Sequence, residues 1–220
     1  MAETILTRFQ EEILTSLSNN KFVYLNFYLG GGTALAEFYL KHRLSEDLDF
    51  FTTKELSFAD VRINLEKSFQ KIGITSLEYR EEASAKLFFL RKGKREVIKT
   101  DFNYFPFKRL KKGTIFNKIE VDSLLDIAVN KLHLILTRSN ARDFVDFFFI
   151  QKRENYPLDF LLKKLEKKFS WKVDPIFLGS RFLKIIDLKD YPKMRKKFRQ
   201  KKLIDYFSLL AKQQKGKFLK

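Results

Sequence analysis

Two features near the start of the chain combine residue types and spacing that could do chemistry. In Asp47-Leu48-Asp49-Phe50-Phe51 two carboxylates flank one apolar residue. Strand side chains alternate, so Asp47 and Asp49 would leave one face about 6–7 Å apart while Leu48 and Phe50 enter the core. Carboxylate oxygens on a rigid face suit hard divalent cations, and a pair of Mg²⁺ ions about 3.5–4 Å apart is the usual device for in-line displacement at phosphorus. Upstream, Gly30, Gly31 and Gly32 follow an aromatic and aliphatic run and precede Thr33 and the helix-tolerant stretch ALAEFYL. Glycines let backbone N–H groups approach a phosphate, and Thr33 is placed to cap the following helix, whose N-terminal end favours the same anion.

The element order needed to position these groups is strand, tight turn, helix, strand. One helix spans the gap between Thr33 and Asp47. Taken together, residues 27–51 (FYLGGGTALAEFYLKHRLSEDLDFF) resemble the signature of the DNA polymerase β-like nucleotidyltransferase superfamily. Within it they are most similar to the AbiEii/AbiGii-type toxin family, with its GGTAL turn and HR-S-x-DLDFF strand. Thr33 stands where many relatives outside that family have serine.

The resemblance implies a third carboxylate on a neighbouring strand, completing a metal site and helping to deprotonate an attacking hydroxyl. Asp101 matches it: it lies in the β-prone run VIKTDF, where an acid is unfavourable without a partner. The plain alternative is a strand-end aspartate opening the turn Asn103-Tyr104-Phe105-Pro106. Arg43, just before the metal-binding strand, is implied as a nucleotide-contacting or strand-positioning residue. His42 beside it reads as an ordinary surface or helix-end histidine.

Residues 121–152 carry a second constellation. Leu124, Ile127, Ala128, Leu132, Ile135 and Leu136 have helical spacing with Asp122 or Ser123 as a plausible cap, and Lys131 falls in the middle of this apolar helix. A break at Ser139-Asn140 is expected, with Asn140 capping the next helix and Asp143 three residues on. Lys131, Arg138, Arg142, Asp143 and Asp146 match the family's lysine helix and R-x(3)-RD-x(2)-D run. That implies Lys131 on the triphosphate, where a fixed cation neutralises the leaving pyrophosphate, and Arg142, Asp143 and Asp146 on the far wall of a cleft. The structural alternative is that Arg142, Asp143 and Asp146 form ion pairs that hold the two lobes together.

Elsewhere the patterning predicts a helix over residues 3–18 with Ile5, Phe9, Ile13 and Leu17 on one stripe, and a strand over 21–29. A helix is predicted over 58–72, and strands over 76–80, 85–91 and 96–102 with Lys92-Gly93-Lys94 as a hairpin turn. Helical runs follow from Pro157, over 180–186 beyond a break at Asp174-Pro175, and over 193–210. The expected architecture is α/β: a nucleotidyltransferase-like lobe over 1–118, with a small mixed sheet flanked by helices, and a helical lobe over 119–220. The active site would be the cleft between them.

Composition agrees with a packed globule: 45% of residues are hydrophobic and 25 are phenylalanine. No apolar run nears the ~20 residues of a membrane span and no signal-peptide pattern opens the chain, so a cytoplasmic protein is expected. The absence of cysteine excludes thiolate chemistry, and two histidines leave little room for zinc. The net charge of +17 is uneven: residues 151–220 hold 21 Lys and Arg against 7 Asp and Glu, a net of +14, and the first 150 residues hold +3. Such a field favours polyanions such as RNA, the alternative being lysine decoration of solvated helix faces.

The expectation is therefore transfer of an NMP from an NTP to an acceptor hydroxyl. Two Mg²⁺ would sit on Asp47, Asp49 and Asp101, with Gly31, Gly32, Thr33, Arg43, Lys131, Arg142 and Asp146 around the nucleotide. The resemblance implies a toxin of a toxin–antitoxin or phage-defence pair acting on RNA such as a tRNA end, with a cognate antitoxin as partner. The alternatives are a small-molecule or protein hydroxyl as acceptor, or a non-enzymatic nucleic-acid- or antitoxin-binding module.

Overall fold

The computed structural model describes residues 4–93 and 96–218. The chain forms two compact units, Met1–Ser123 and Leu124–Lys220. In the first, the elements are α1 (Arg8–Ser18), α2 (Lys21–Asn26), β1 (Tyr28–Gly30) and α3 (Gly31–Leu35), which runs on as a π-helical turn over Ala36–Leu40. Then come β2 (Leu48–Thr52), α4 (Phe58–Lys71), β3 (Ser76–Glu82), β4 (Ala85–Lys92), β5 (Glu96–Tyr104), β6 (Ile115–Phe116) and β7 (Ile119–Val121). All seven strands join one mixed sheet in the order β3-β4-β5-β2-β1-β7-β6. The α/β expectation holds, and β7, paired in parallel with β1, makes residues 119–121 part of the sheet unit.

Two local expectations are corrected. Residues 21–29 are not one strand. Asn20 accepts from the N–H groups of Phe22 and Val23 (2.9 and 3.3 Å), which starts α2 and leaves only Tyr28–Gly30 extended. A side-chain cap outweighs the β-preference of Phe, Val and Tyr. The first helix begins at Arg8 rather than Glu3, because Thr7 and Gln10 form a reciprocal capping box there. The stripe Ile5, Phe9, Ile13 and Leu17 is nonetheless buried. Of the Lys92-Gly93-Lys94 turn, Gly93 takes φ +66° and Lys94 lies outside the described residues.

Alternation in β2 divides the sheet into two faces. Leu48 and Phe50 are fully buried, and Phe50 stacks on Phe102 of β5 at 5.0 Å and 9°. Phe102 also meets Phe88 of β4 edge-on at 5.6 Å, and Phe88 meets Phe69 of α4. This aromatic slab fixes β2 against β5, and the opposite face of the same two strands is free to carry charge.

The second unit is helical: α5 (Leu124–Thr137), α6 (Ala141–Glu154), α7 (Leu158–Phe169), α8 (Pro175–Leu183) with a 3₁₀ turn over Lys184–Ile186, and α9 (Gln200–Phe218). The break at Ser139-Asn140 is present, but the Asn140 side chain makes no cap; Asp190 instead accepts from the Ala141 N–H at 3.2 Å. Asp174 caps α8 through the Phe177 N–H, so this helix starts at Pro175, earlier than expected. The basic stretch 193–199 is not helical. Its like charges oppose helix formation, and α9 begins only at Gln200. The interleaved rings turn inward: Phe198 lies against Phe149 and Tyr191, and Phe207 against Phe144 and Phe182.

Candidate active site

The carboxylates meet where β2 and β5 run parallel. Asp49 is directly opposite Asp101 in the register, so the two project from the same face, and Asp47 precedes Asp49 by one alternation. Gly30 is Asp49's partner on the other side, in β1. Asp47 and Asp49 are half-buried, and Asp101 is buried, at 7% exposure.

The segment leading into β2 is held from three directions. Thr33 lies inside α3, fully buried, and its hydroxyl donates to the Asp47 carbonyl; it does not cap the helix, whose N-cap is Gly30. Gln10 of α1 donates from one amide nitrogen to the carbonyls of Ser45 and Glu46 at 2.8 and 2.9 Å. The π-helical turn ends with the Lys41 N–H bonded to the Ala36 carbonyl at 2.8 Å and Lys41 itself left-handed at φ 50°. After that reversal His42 and Arg43 are buried, and Arg43 lies against Gly32. His42 is thus not a surface residue, and Arg43 donates to the Leu44 carbonyl at 2.8 Å.

The glycines are required by close approach. A Cβ on Gly31, which has φ +70°, would fall 2.1 Å from Asp49 Oδ2, and one on Gly32 would fall 2.2 Å from Arg43 Nη2. The turn therefore lies directly against the acidic face. Gly31→Ala should combine left-handed strain with displacement of Asp49, and a shift of about 1 Å at a reacting group costs about 10²-fold in rate. Gly73→Ala is the control: φ is +72°, but nothing lies within 4 Å of the added methyl. The control should lose about 1 kcal/mol of stability in a urea titration and keep its activity.

Lys99 also stands on this face, one alternation before Asp101. Its ammonium is 2.5 Å from Asp101 Oδ2 and 3.7 Å from Asp47 Oδ2. Partial burial works to lower the Lys99 pKa, but the Asp101 hydrogen bond and the charges of Asp101, Asp47 and Asp49 outweigh it and hold it above the ordinary value. Burial raises the Asp101 pKa, against the opposing pull of Lys99 and with the repulsion of Asp47 and Glu82. Asp101 Oδ1 is buried with no hydrogen-bond partner among the described residues. Three carboxylates on adjoining positions, one with an unused buried oxygen, are a donor set of the type hard cations take. As the side chains stand, no group of three or more acids or histidines among the described residues is arranged as a metal cage. Lys99 already bridges two of the three carboxylates.

The second constellation lies in the helical unit and is an ion network. Lys131 of α5, 5% exposed, reaches Asp143 Oδ1 at 2.8 Å and Asp146 Oδ2 at 2.7 Å, both on α6 and both fully buried. Arg138 Nε adds a bond to Asp143 Oδ2 at 2.8 Å. Burial pushes the Asp143 pKa up, but Lys131 and Arg138 more than offset it, so the carboxyl is held below its usual value. Arg142 is exposed on the first turn of α6. A second buried pair, Lys168 of α7 with Asp126 of α5 at 2.7 Å, has no counterpart in the sequence reading.

Gln10 and Lys99 are the site-facing residues that sequence reasoning missed. Lys99 had a signal, since it precedes Asp101 by two in a strand; Gln10, 35 residues from Ser45, had none.

Comparison with known proteins bears on this geometry. A model of the family described as "Nucleotidyl transferase AbiEii toxin, Type IV TA system" matches residues 13–214. An uncharacterized protein of Aquifex aeolicus is 32% identical over 146 residues, which span 66% of this chain and 66% of that protein. Among solved structures, JHP933 from Helicobacter pylori aligns over 94% of this chain and 89% of its own, with a TM-score of 0.60 and 21% identity. MenT4, a nucleotidyltransferase toxin from Mycobacterium tuberculosis, aligns over 92% and 81%, with a TM-score of 0.54 and 13% identity. At these identities the two structures speak for the fold.

Proposed function

The chain belongs to the AbiEii nucleotidyltransferase toxin family, and on that premise we propose that it moves an NMP from an NTP to a hydroxyl of RNA, such as a tRNA end, using Mg²⁺ held by Asp47, Asp49 and Asp101. The observation that carries this reading is the in-register Asp49–Asp101 pair, whose Asp49 lies against Gly31. Metal ligands and a close-approaching backbone turn are thereby adjacent, as joint binding of an ion and a polyphosphate requires. A bound Mg²⁺ supplies Lewis-acid neutralisation of the phosphate oxygens.

The chain's own groups have separate tasks. The backbone of Gly31, Gly32 and Thr33 accommodates the phosphates, Arg43 beneath Gly32 adds a fixed positive charge, and Gln10 and the Thr33 hydroxyl hold Asp47 in place. The acceptor oxygen bonds to the α-phosphorus as the bond from that phosphorus to the bridging oxygen breaks. Pyrophosphate leaves, and the hydroxyl proton passes to the carboxylate face, where the family pattern makes Asp101 its acceptor. Lys131, Arg142 and Asp146 are carried as nucleotide contacts by the family pattern alone; Lys131 and Asp146 are bonded to each other.

RNA as acceptor is supported by charge. In 193–202 the seven Lys and Arg residues are exposed, and the aromatic side chains near them pack inward, so phosphate contact is the interaction this stretch offers. Reversing Lys196, Lys197, Lys201 and Lys202 to Glu should weaken RNA binding and modification and leave NTP affinity unchanged. In the unaltered protein, log affinity should fall with log salt by about 0.7 per phosphate contact on single strands. Salt-insensitive modification would point to a small-molecule or protein hydroxyl. The family description names a Type IV TA system, so the role proposed is that of a toxin with a cognate antitoxin. No helix among the described residues is long and apolar enough to cross a membrane. Incubation with each labelled NTP, Mg²⁺ and total RNA or total protein, followed by location of the label, tests the reading. Label on protein or on neither would overturn the RNA assignment.

A further inference from the structure

We propose that the Lys99 ammonium is a built-in cation of the carboxylate site, so that the site takes one divalent ion where a three-aspartate site without the lysine would take two. The inference rests on the metal-binding role proposed above for Asp47, Asp49 and Asp101. Lys99 does not approach the acids from solvent by chance. Strand alternation puts it on their face, and its side chain, 32% exposed, spans from Asp101 at 2.5 Å to Asp47 at 3.7 Å. An ammonium bonded to Asp101 and within ion-pair distance of Asp47 stands where an ion bridging those carboxylates would sit.

The formal charges agree. Three carboxylates alone carry minus three, more than one Mg²⁺ cancels; with Lys99 they carry minus two, which one Mg²⁺ cancels. One buried acceptor, Asp101 Oδ1, has no hydrogen-bond partner among the described residues with Lys99 in place, so the lysine does not exhaust the oxygens of the site. A lysine is also a fixed charge, which does not leave with pyrophosphate as a nucleotide-borne ion can.

The test is Mn²⁺ titration of the full chain followed by EPR, with each of the four α,β-methylene nucleoside triphosphates present in turn. The unaltered protein should bind one Mn²⁺ with an isolated-ion spectrum. Lys99→Met, similar in length and without charge, should bind two with the signal of an exchange-coupled pair, and its first ion should bind about tenfold more tightly once the repelling charge is gone. A lysine that merely supported the fold would move neither the stoichiometry nor the coupling. A coupled pair in the unaltered protein, or a single isolated ion in both proteins, overturns the role of Lys99 and leaves the carboxylate site standing. Mn²⁺ binding that persists undiminished in Asp49→Asn overturns the carboxylate site itself, and the lysine assignment with it.

Discussion

Asp49→Asn is expected to lower nucleotidyl transfer by on the order of 10³-fold or more, the scale seen when a group aimed at developing charge is lost. Asp49 is central in three respects. It pairs with Asp101 across β2 and β5, it pairs with Gly30 across β1, and its carboxylate occupies the space beside Gly31. The amide of asparagine fills the same volume, so the turn should stay seated, but it carries no charge and the proposed metal would lose a ligand. Asp47→Asn and Asp101→Asn should have effects of similar size. Thermal unfolding should be unchanged or slightly raised in all three, because each substitution removes a charge that neighbouring carboxylates repel. Asp101→Asn also frees Lys99, but that side chain reaches water and can be solvated. Transfer at the unaltered rate by Asp49→Asn, with any NTP and with Mg²⁺ or Mn²⁺, would remove the enzymatic assignment of these carboxylates. Activity kept in Asp101→Asn but lost in Asp49→Asn would mean that the third ligand is another residue.

The largest expected loss of stability follows from Lys131→Met, about 3–5 kcal/mol in a urea titration, since the change strands two fully buried carboxylates without their common cation. Arg142→Ala, at an exposed position of α6, should fall within about 0.5 kcal/mol of the unaltered protein. The pH dependence separates the cause from simple loss of packing. In the unaltered protein the Asp143 pKa is depressed, so its contribution is fully present above the unfolded-state value and lost as pH falls through the folded one. In Lys131→Met one of the two cations that offset burial is gone while Arg138 remains, so the depression of the Asp143 carboxyl shrinks and the variant should lose less stability than the parent as pH falls. A variant that is as stable as the parent, with weakened NTP binding, would place Lys131 on the nucleotide and leave the acids to Arg138.

Much of the candidate site's arrangement was legible because its signals are local. Asp47 and Asp49 are two apart, the glycines are consecutive, and the strand containing Asp101 shows in its β-branched residues. The break before Ala141 was legible from Ser139-Asn140, although the group that satisfies the freed N–H is Asp190, 49 residues away. Local pattern failed where side chains from distant elements set the outcome. Asn20 turned a β-prone run into a helix, and Thr33 spent its hydroxyl on the Asp47 carbonyl. The partner of Asp126 is Lys168, one of several lysines in KKLEKK that look alike until α7 folds against α5. The network around Lys131 shows the limit of family pattern as well. A motif can identify which residues belong together and leave open whether they bind a ligand or one another.

The parallel pairing of β2 with β5 has a consequence for how the protein is made. Asp49 and Asp101 are 52 residues apart, and parallel neighbours cannot be joined by a tight turn; α4 and the β3–β4 hairpin must come between them. Contacts of such sequence separation form late, because the entropy of closing the intervening loop is lost before the pairing returns anything. A ribosome that has delivered β1, the glycine turn and β2 holds two of the three carboxylates on a strand paired on one edge only, with β5 still to come on the other. The carboxylate face is therefore incomplete until β5 docks, and a nascent chain stalled before Asp101 should be inert towards the RNA of the ribosome that is making it.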